Sequence, residues 1–422
     1  MPDLLTLILQ IAVILAAVRV TGLIFRLIKQ PQVIGELVAG ILLGPSLLGW
    51  IAPGVSAYLF PPESLGFISA ISQLGLLVFM FLVGLELDPK LLRDRGHAAV
   101  VTSHASIIVP FLLGSALCLF LYPRLSDSSV SFIHFALFMG VAMSITAFPV
   151  LARILTERKL LGTRVGAVTI TCAAVDDVTA WCILAGVVLL VRAGEAGVPF
   201  WLTIVGSAAF VTLMLLAARP LLRRLSDHFK ARGTLTQGTL AIVLLVVLAS
   251  AWTTEWLGIH ALFGAFLAGA VMPKNSGFVK ALTRRLEDVT VVLLLPLYFA
   301  FTGLRTSIGL ISGVDLWFYC ALIILVAVVG KFGGSMLAAR ATGMPWREAS
   351  ALGVLMNTRG LVELVVLNVG LDIGVLSPTL FAMMVLMALV TTFMTSPLLE
   401  IIYPARLIRE ETALPSEAQP TN

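Results

Sequence analysis

The sequence predicts an all-α polytopic membrane protein with about thirteen transmembrane helices. Three observations predict it. Of 422 residues, 59% are hydrophobic and only 12% charged, about half the roughly 25% charge of a soluble domain, and the mean hydropathy is +1.04. Apolar runs near the ~20 residues that span a hydrocarbon layer recur along the whole chain. The charges gather between those runs, and the basic ones gather in alternate loops, on one side. This composition excludes a soluble enzyme and a secreted disulfide scaffold. It also excludes a nucleic-acid binder, despite the net charge of +5. Cys118, Cys172, Cys182 and Cys320 stand singly inside apolar stretches and read as core filler.

Taken in order, the runs are 4–24, 32–50, 67–86, 98–122, 131–153, 165–191, 199–219, 237–254, 258–273, 289–304, 315–339, 347–370 and 376–403. Met1-Pro2-Asp3 carries no basic region, so the first run reads as a span and not a cleaved signal. The second and ninth runs are short and rich in glycine. With the N-terminus outside, 22 of the 28 Lys and Arg residues fall in inner loops. Arg124, Arg192 and Arg305 fall in outer loops, while Arg19, Lys331 and Arg359 lie inside apolar runs. This asymmetry predicts an odd number of spans with the C-terminus cytoplasmic. After about Tyr403 the chain turns polar and proline-bearing, the composition of a disordered tail.

The runs contain an internal repeat. Gly35-Glu36-Leu37-Val38-Ala39-Gly40 in the second matches Gly264-Ala265-Phe266-Leu267-Ala268-Gly269 in the ninth. Phe79-Met80-Phe81-Leu82-Val83-Gly84-Leu85 in the third matches Tyr298-Phe299-Ala300-Phe301-Thr302-Gly303-Leu304 in the tenth. Partners are seven runs apart, and an odd offset turns one copy upside down, giving an inverted repeat.

The chemistry concentrates in four places. Asp176 and Asp177 sit mid-way along the sixth run, where a charge costs at least ~2.5–3.5 kcal/mol on insertion scales. Intramembrane carboxylates mark cation or proton pathways, because one carboxylate holds a small cation or a proton in competition. The competing reading is structural, with both satisfied by a neighbouring helix. Lys331, mid-way along the eleventh run, needs an anion, and the Asp pair supplies one, either as a permanent ion pair or as one that breaks when a cation arrives. Two runs look interrupted: the fifth by Thr146 and Pro149, with the proline mid-helix, and the twelfth by Asn357, Thr358, Arg359 and Gly360. Opposed half-helix ends at such breaks position ions. Arg359 and Glu363 are four apart, on one helical face, where an ion pair forms readily. Glu36 and Glu86 lie near run ends and read as hydrated. No nucleotide-binding loop, catalytic triad, nucleophile–base pair or zinc site is present, so nothing points to an enzyme or a resident cofactor.

The ordered set Thr146-Ala147-Phe148-Pro149-Val150-Leu151-Ala152-Arg153, Asp176-Asp177, Gly330-Lys331 and Asn357-Thr358-Arg359-Gly360-Leu361-Val362-Glu363-Leu364 resembles the Kef-type branch of the monovalent cation:proton antiporters, over residues 5–403. The resemblance implies the sodium/proton antiporter fold with two crossing broken helices. It implies a homodimer in the lipid bilayer, with a core that moves in an elevator-type cycle, and with the composition it leaves no nucleic-acid partner to expect. The domains it implies are dimer-domain helices in 1–97 and 237–313, transport-core helices in 98–192 and 314–403, a linker helix in 193–236 and a cytoplasmic tail in 404–422. Asp177 would be the carrier of the monovalent cation and the proton, with Asp176 beside it pairing with Lys331. Thr146, Asn357 and Thr358 would lie near the crossing. Many Kef-type members replace the first aspartate and carry a regulatory nucleotide-binding domain. This chain keeps both aspartates, as electrogenic sodium/proton antiporters do, and its tail is too short for that domain. The expectation is therefore electrogenic exchange of Na⁺, or else K⁺, for H⁺ in a bacterial inner membrane. The alternative is electroneutral K⁺/H⁺ exchange or a channel-like K⁺ pathway.

Overall fold

A computed structural model describes residues 4–407 apart from 29, 87–96, 128, 161–162, 193–199, 259, 275 and 405. Among the described residues every regular element is helical. Ten helices among the described residues are long and apolar enough to cross a membrane, or eleven when Trp346–Met356 and Leu361–Asp372, bent by 43° at a break, count as one span. All thirteen apolar runs contain helix, but three provide no single crossing helix: the twelfth is that bent pair, and two others fall short. The fifth is split into Phe132–Ser144 and Phe148–Glu157. The ninth is Ala261–Val271, 11 residues, about half the hydrocarbon thickness at ~1.5 Å per residue.

Several helices outrun their apolar sequence. Arg219–Arg232 and Ser276–Val289 are helical although they hold basic clusters expected in loops. π turns at Met214–Ala218 and Thr290–Leu294 each precede a proline, Pro220 and Pro296. A shift to i→i+5 bonding accommodates the N–H that proline lacks. The third π turn, Val329–Gly333, has no proline and contains Lys331. Cys118, Cys172 and Cys320 are buried, but Cys182 is exposed and so is not core filler.

The chain divides into two compact units. One comprises Met1–Arg19, Glu36–Pro89 and Ala185–Arg305; the other comprises Val20–Gly35, Lys90–Leu184 and Thr306–Asn422.

The first unit is held by glycine. A Cβ on Gly40 would strike the carbonyl of Ala300, and one on Gly269 would strike the carbonyl of Phe81. A Cβ on Gly303 would meet the Leu37 carbonyl and the Ile41 amide; on Gly84 it would meet the Phe266 carbonyl and the Ala270 amide. Under the sequence repeat, Gly40 corresponds to Gly269, Ala300 to Phe81, Gly303 to Gly84, Leu37 to Phe266 and Ile41 to Ala270. The two crossings therefore use equivalent atoms. In a membrane no hydrophobic force pulls helices together, so close backbone approach at small residues supplies the packing. Lys274 closes one end of this contact, its ammonium donating to the carbonyls of Gly84 at 3.0 Å and Leu85 at 2.7 Å. Glu36, expected to be hydrated, is buried within Gln32–Leu43. The Glu86 side chain lies outside the described residues.

The second unit contains both breaks. Its apolar core joins Ala99, Leu151, Leu155, Cys172, Ala173, Ala339, Leu352, Met356 and Leu399. Polar groups are packed among these residues with almost no exposure, and they form the site.

Candidate functional site

The two breaks touch. Phe132–Ser144 ends at Ser144, Ile145 is extended, and the next half-helix starts at Phe148. Pro149 falls in the first turn of that second half-helix, so it costs no internal hydrogen bond and is not the mid-helix kink its spacing suggested. Its side chain lies outside the described residues. The Ala147 amide donates to the Thr358 carbonyl at 3.1 Å. The Thr146 hydroxyl reaches the Met356 carbonyl at 3.0 Å. Gly360 lies against Val150 and Ala147, and a Cβ there would come 2.8 Å from Val150 Cγ2.

A helix leaves its last four carbonyls without partners. In Phe132–Ser144 side chains satisfy all four. Ser144 Oγ donates to Val141 O at 2.8 Å. The Arg359 guanidinium donates to Ala142 O at 3.1 Å and Met143 O at 2.7 Å. Lys331 Nζ donates to Ser144 O at 2.6 Å. Two buried cations thus sit at the negative end of one half-helix. Among the described residues no cation caps the corresponding end of Trp346–Met356: its partners are the amides of Asn357 and Thr358 and the Thr146 hydroxyl.

Arg359 also pairs with Glu363 at 3.0 Å, both side chains fully buried. Its own amide and carbonyl are both bonded to the Thr392 hydroxyl, at 3.0 and 2.7 Å. Asn357 Nδ2 faces Met394 Sδ at 3.9 Å, and Thr358 donates to Thr395 at 3.4 Å.

The adjacent aspartates occupy opposite environments. Asp176 accepts from Lys331 Nζ at 2.7 Å, from Ser106 Oγ at 2.7 and 2.9 Å, from Thr146 Oγ1 at 3.0 Å and from Ser103 Oγ at 3.4 Å. Asp177 is 4% exposed, yet neither of its oxygens accepts a hydrogen bond among the described residues. The Phe148 backbone amide is the donor turned toward it, short of the hydrogen-bond geometry that Asp176 has, and the charges of Asp176 and Lys331 act on it. Asn357 Oδ1 is the other buried oxygen at the breaks without a donor, apart from Glu363 Oε2. Thr146, Asp176, Lys331 and the half-helix end form one bonded network, Arg359 caps the same end, and Asp177 stands beside it. Glu36 belongs to the first unit. Ser103 and Ser106 were not singled out in the sequence. Serines in a membrane helix are common, and only their one-turn spacing opposite Asp176 could have flagged them.

A helical membrane protein with two broken helices meeting beside a bare buried carboxylate has the architecture of a secondary transporter. The chain belongs to the transmembrane sodium/hydrogen exchanger family, whose model matches residues 12–401. It is 45% identical over 403 residues to the Na(+)/H(+) antiporter NhaS4 of Synechocystis sp., covering 95% of this chain and 98% of that protein. It is 43% identical over 397 residues to cation/H(+) antiporter 17 of Arabidopsis thaliana, covering 94% of this chain but only 48% of that longer protein. The fold matches the sodium proton antiporter MjNhaP1 of Methanocaldococcus jannaschii with a TM-score of 0.61 at 14% identity, over 97% of this chain and all of that one.

Proposed function

We propose that this protein exchanges a monovalent cation, Na⁺ ahead of K⁺, for protons across a bacterial inner membrane. The observation that carries the proposal is the carboxylate of Asp177, buried with no side chain donating to either oxygen among the described residues. Leaving a buried anion unpaired is costly, and a passing ligand relieves the cost. A dehydrated cation and a proton each do so, and one excludes the other. That competition is exchange.

Asp176 and Lys331 extend this to coupling. A cation arriving at Asp177 disturbs the neighbouring pair, and the ammonium, stripped of its counter-ion in an apolar surround, releases a proton. On the return leg Asp177 and Lys331 each take one proton. Two protons then cross per cation, so one net charge moves per cycle, and 100 mV biases each cycle by ~2.3 kcal/mol. The breaks let the second unit hold the site on short half-helices while it moves as an elevator. The chain works as a homodimer with its N-terminus outside and its C-terminus cytoplasmic.

The test uses purified protein in proteoliposomes and on a solid-supported membrane. The expected results are Na⁺-driven proton counterflow larger than that driven by K⁺, and a current reversing at the voltage for two protons per cation. Exchange without current, unchanged when the potential is clamped, would leave Asp176 and Lys331 as scaffold. Cation flux without proton counterflow would indicate a channel.

A further inference from the structure

Lys331 Nζ has three N–H donors and three acceptors: Asp176 Oδ2 at 2.7 Å, Ser144 O at 2.6 Å and Ser106 O at 2.9 Å. The third needs explaining, because Ser106 lies inside the continuous helix His97–Leu125, where its carbonyl belongs to the amide four residues on. That residue is Pro110, which has no N–H. Pro110 also meets the lysine's helix directly, since a Cβ on Gly330 would lie 2.9 Å from the Pro110 Cα. The π turn Val329–Gly333 brings Lys331 to this point. The same device recurs in the unit: Pro397 leaves the Phe393 carbonyl without its amide, and Gln30 Nε2 donates to it at 3.2 Å.

We infer that Pro110 is a positioning residue for Lys331: by withholding an N–H it keeps the Ser106 carbonyl free as the third acceptor of the ammonium, and so sets how tightly the Asp176–Lys331 pair is held against an arriving cation. The inference rests on the reading that the cation breaks this pair. The charged groups acting on Lys331 are Asp176, Asp177, Arg359 and Glu363. Among the described residues, the helices that carry Ser106 and Ser144 meet the ammonium with backbone carbonyls, and the Ser106 hydroxyl goes to Asp176.

Pro110→Ala restores the N–H, which reclaims the carbonyl. The ammonium then keeps two acceptors, the pair opens more readily, and the cation KM at fixed pH falls. A hydrogen bond to a charged group carries ~1.5 kcal/mol or more, so the expected fall is about tenfold. A purely structural role for the ring would lower folded yield or Vmax without lowering KM. The control is the α-hydroxy analogue of alanine at position 110, introduced by nonsense suppression, which lacks both ring and N–H and should keep the wild-type KM. If Pro110→Ala does not fold, the α-hydroxy analogue of Ile107 serves, since it turns the Ser106 carbonyl into a weaker ester acceptor and leaves Pro110 in place. It too should lower KM. An unchanged KM in whichever of these variants folds, or a shift that the position-110 analogue shares with alanine, would overturn the inference. Lys331→Gln separates the two levels. If it leaves the cation KM unchanged, the reading that the pair opposes cation entry fails. If it lowers KM while Pro110→Ala does not, only the inference about Pro110 fails.

Discussion

The glycine crossings of the first unit and the broken-helix crossing of the second are both built from the repeat, and they treat its symmetry oppositely. Gly40 and Gly303 meet their partners through the same atoms that Gly269 and Gly84 use in the other copy. At the breaks the backbones correspond, but the charges do not. One half-helix end is capped by Lys331 and Arg359, the other by amides and a hydroxyl. Packing has one solution, and both copies keep it. Buried cations repeated at both ends of such a crossing would place like charges together, and the two halves differ in what caps them.

The largest stability effect should come from breaking the charged cap. Arg359→Ala strands Glu363 and uncaps Ala142 O and Met143 O, and removing one partner of a buried pair costs ~3–5 kcal/mol. Thermal melting of the purified protein should show a large fall, partly recovered by adding Glu363→Gln. Gly40→Ala and Gly269→Ala come next, each forcing a Cβ into a backbone carbonyl at ~1–3 kcal/mol. Because the contacts are equivalent, the two melting shifts should agree, and a clear inequality would break the comparison. Thr146→Ala should cost least, ~1–2 kcal/mol. Its hydroxyl serves both Asp176 and the Met356 carbonyl, so a measurable loss of transport should accompany the small melting shift.

Much of the fold was legible because membrane insertion writes itself into composition. The apolar runs, the basic asymmetry, and the glycines of the repeat follow from lipid on one side and close helix contact on the other. The Asp pair, Lys331 and the two breaks were legible because each is expensive at membrane depth. The difference between Asp176 and Asp177 came from the family resemblance, which paired Asp176 with Lys331; the residues by themselves do not carry it, since neighbours share a sequence context and diverge only by the ~100° turn between them. The extent of helix beyond Arg219 and before Val289 was missed because basic residues were counted as loop. The link from Pro110 through Ser106 to Lys331 joins elements more than 220 residues apart, and no local pattern records it.

The central claim is that Asp177 is left bare for a passing ion while Asp176 is bound into the structure. It is tested most directly by the melting temperature of Asp177→Asn, read beside its exchange activity. An amide removes an unpaired buried charge and leaves every observed hydrogen bond of Asp176 in place. The expected result is a folded protein melting at or above the wild-type temperature that moves neither cation nor proton. A variant that melts well below wild type yet still exchanges cations for protons would contradict it.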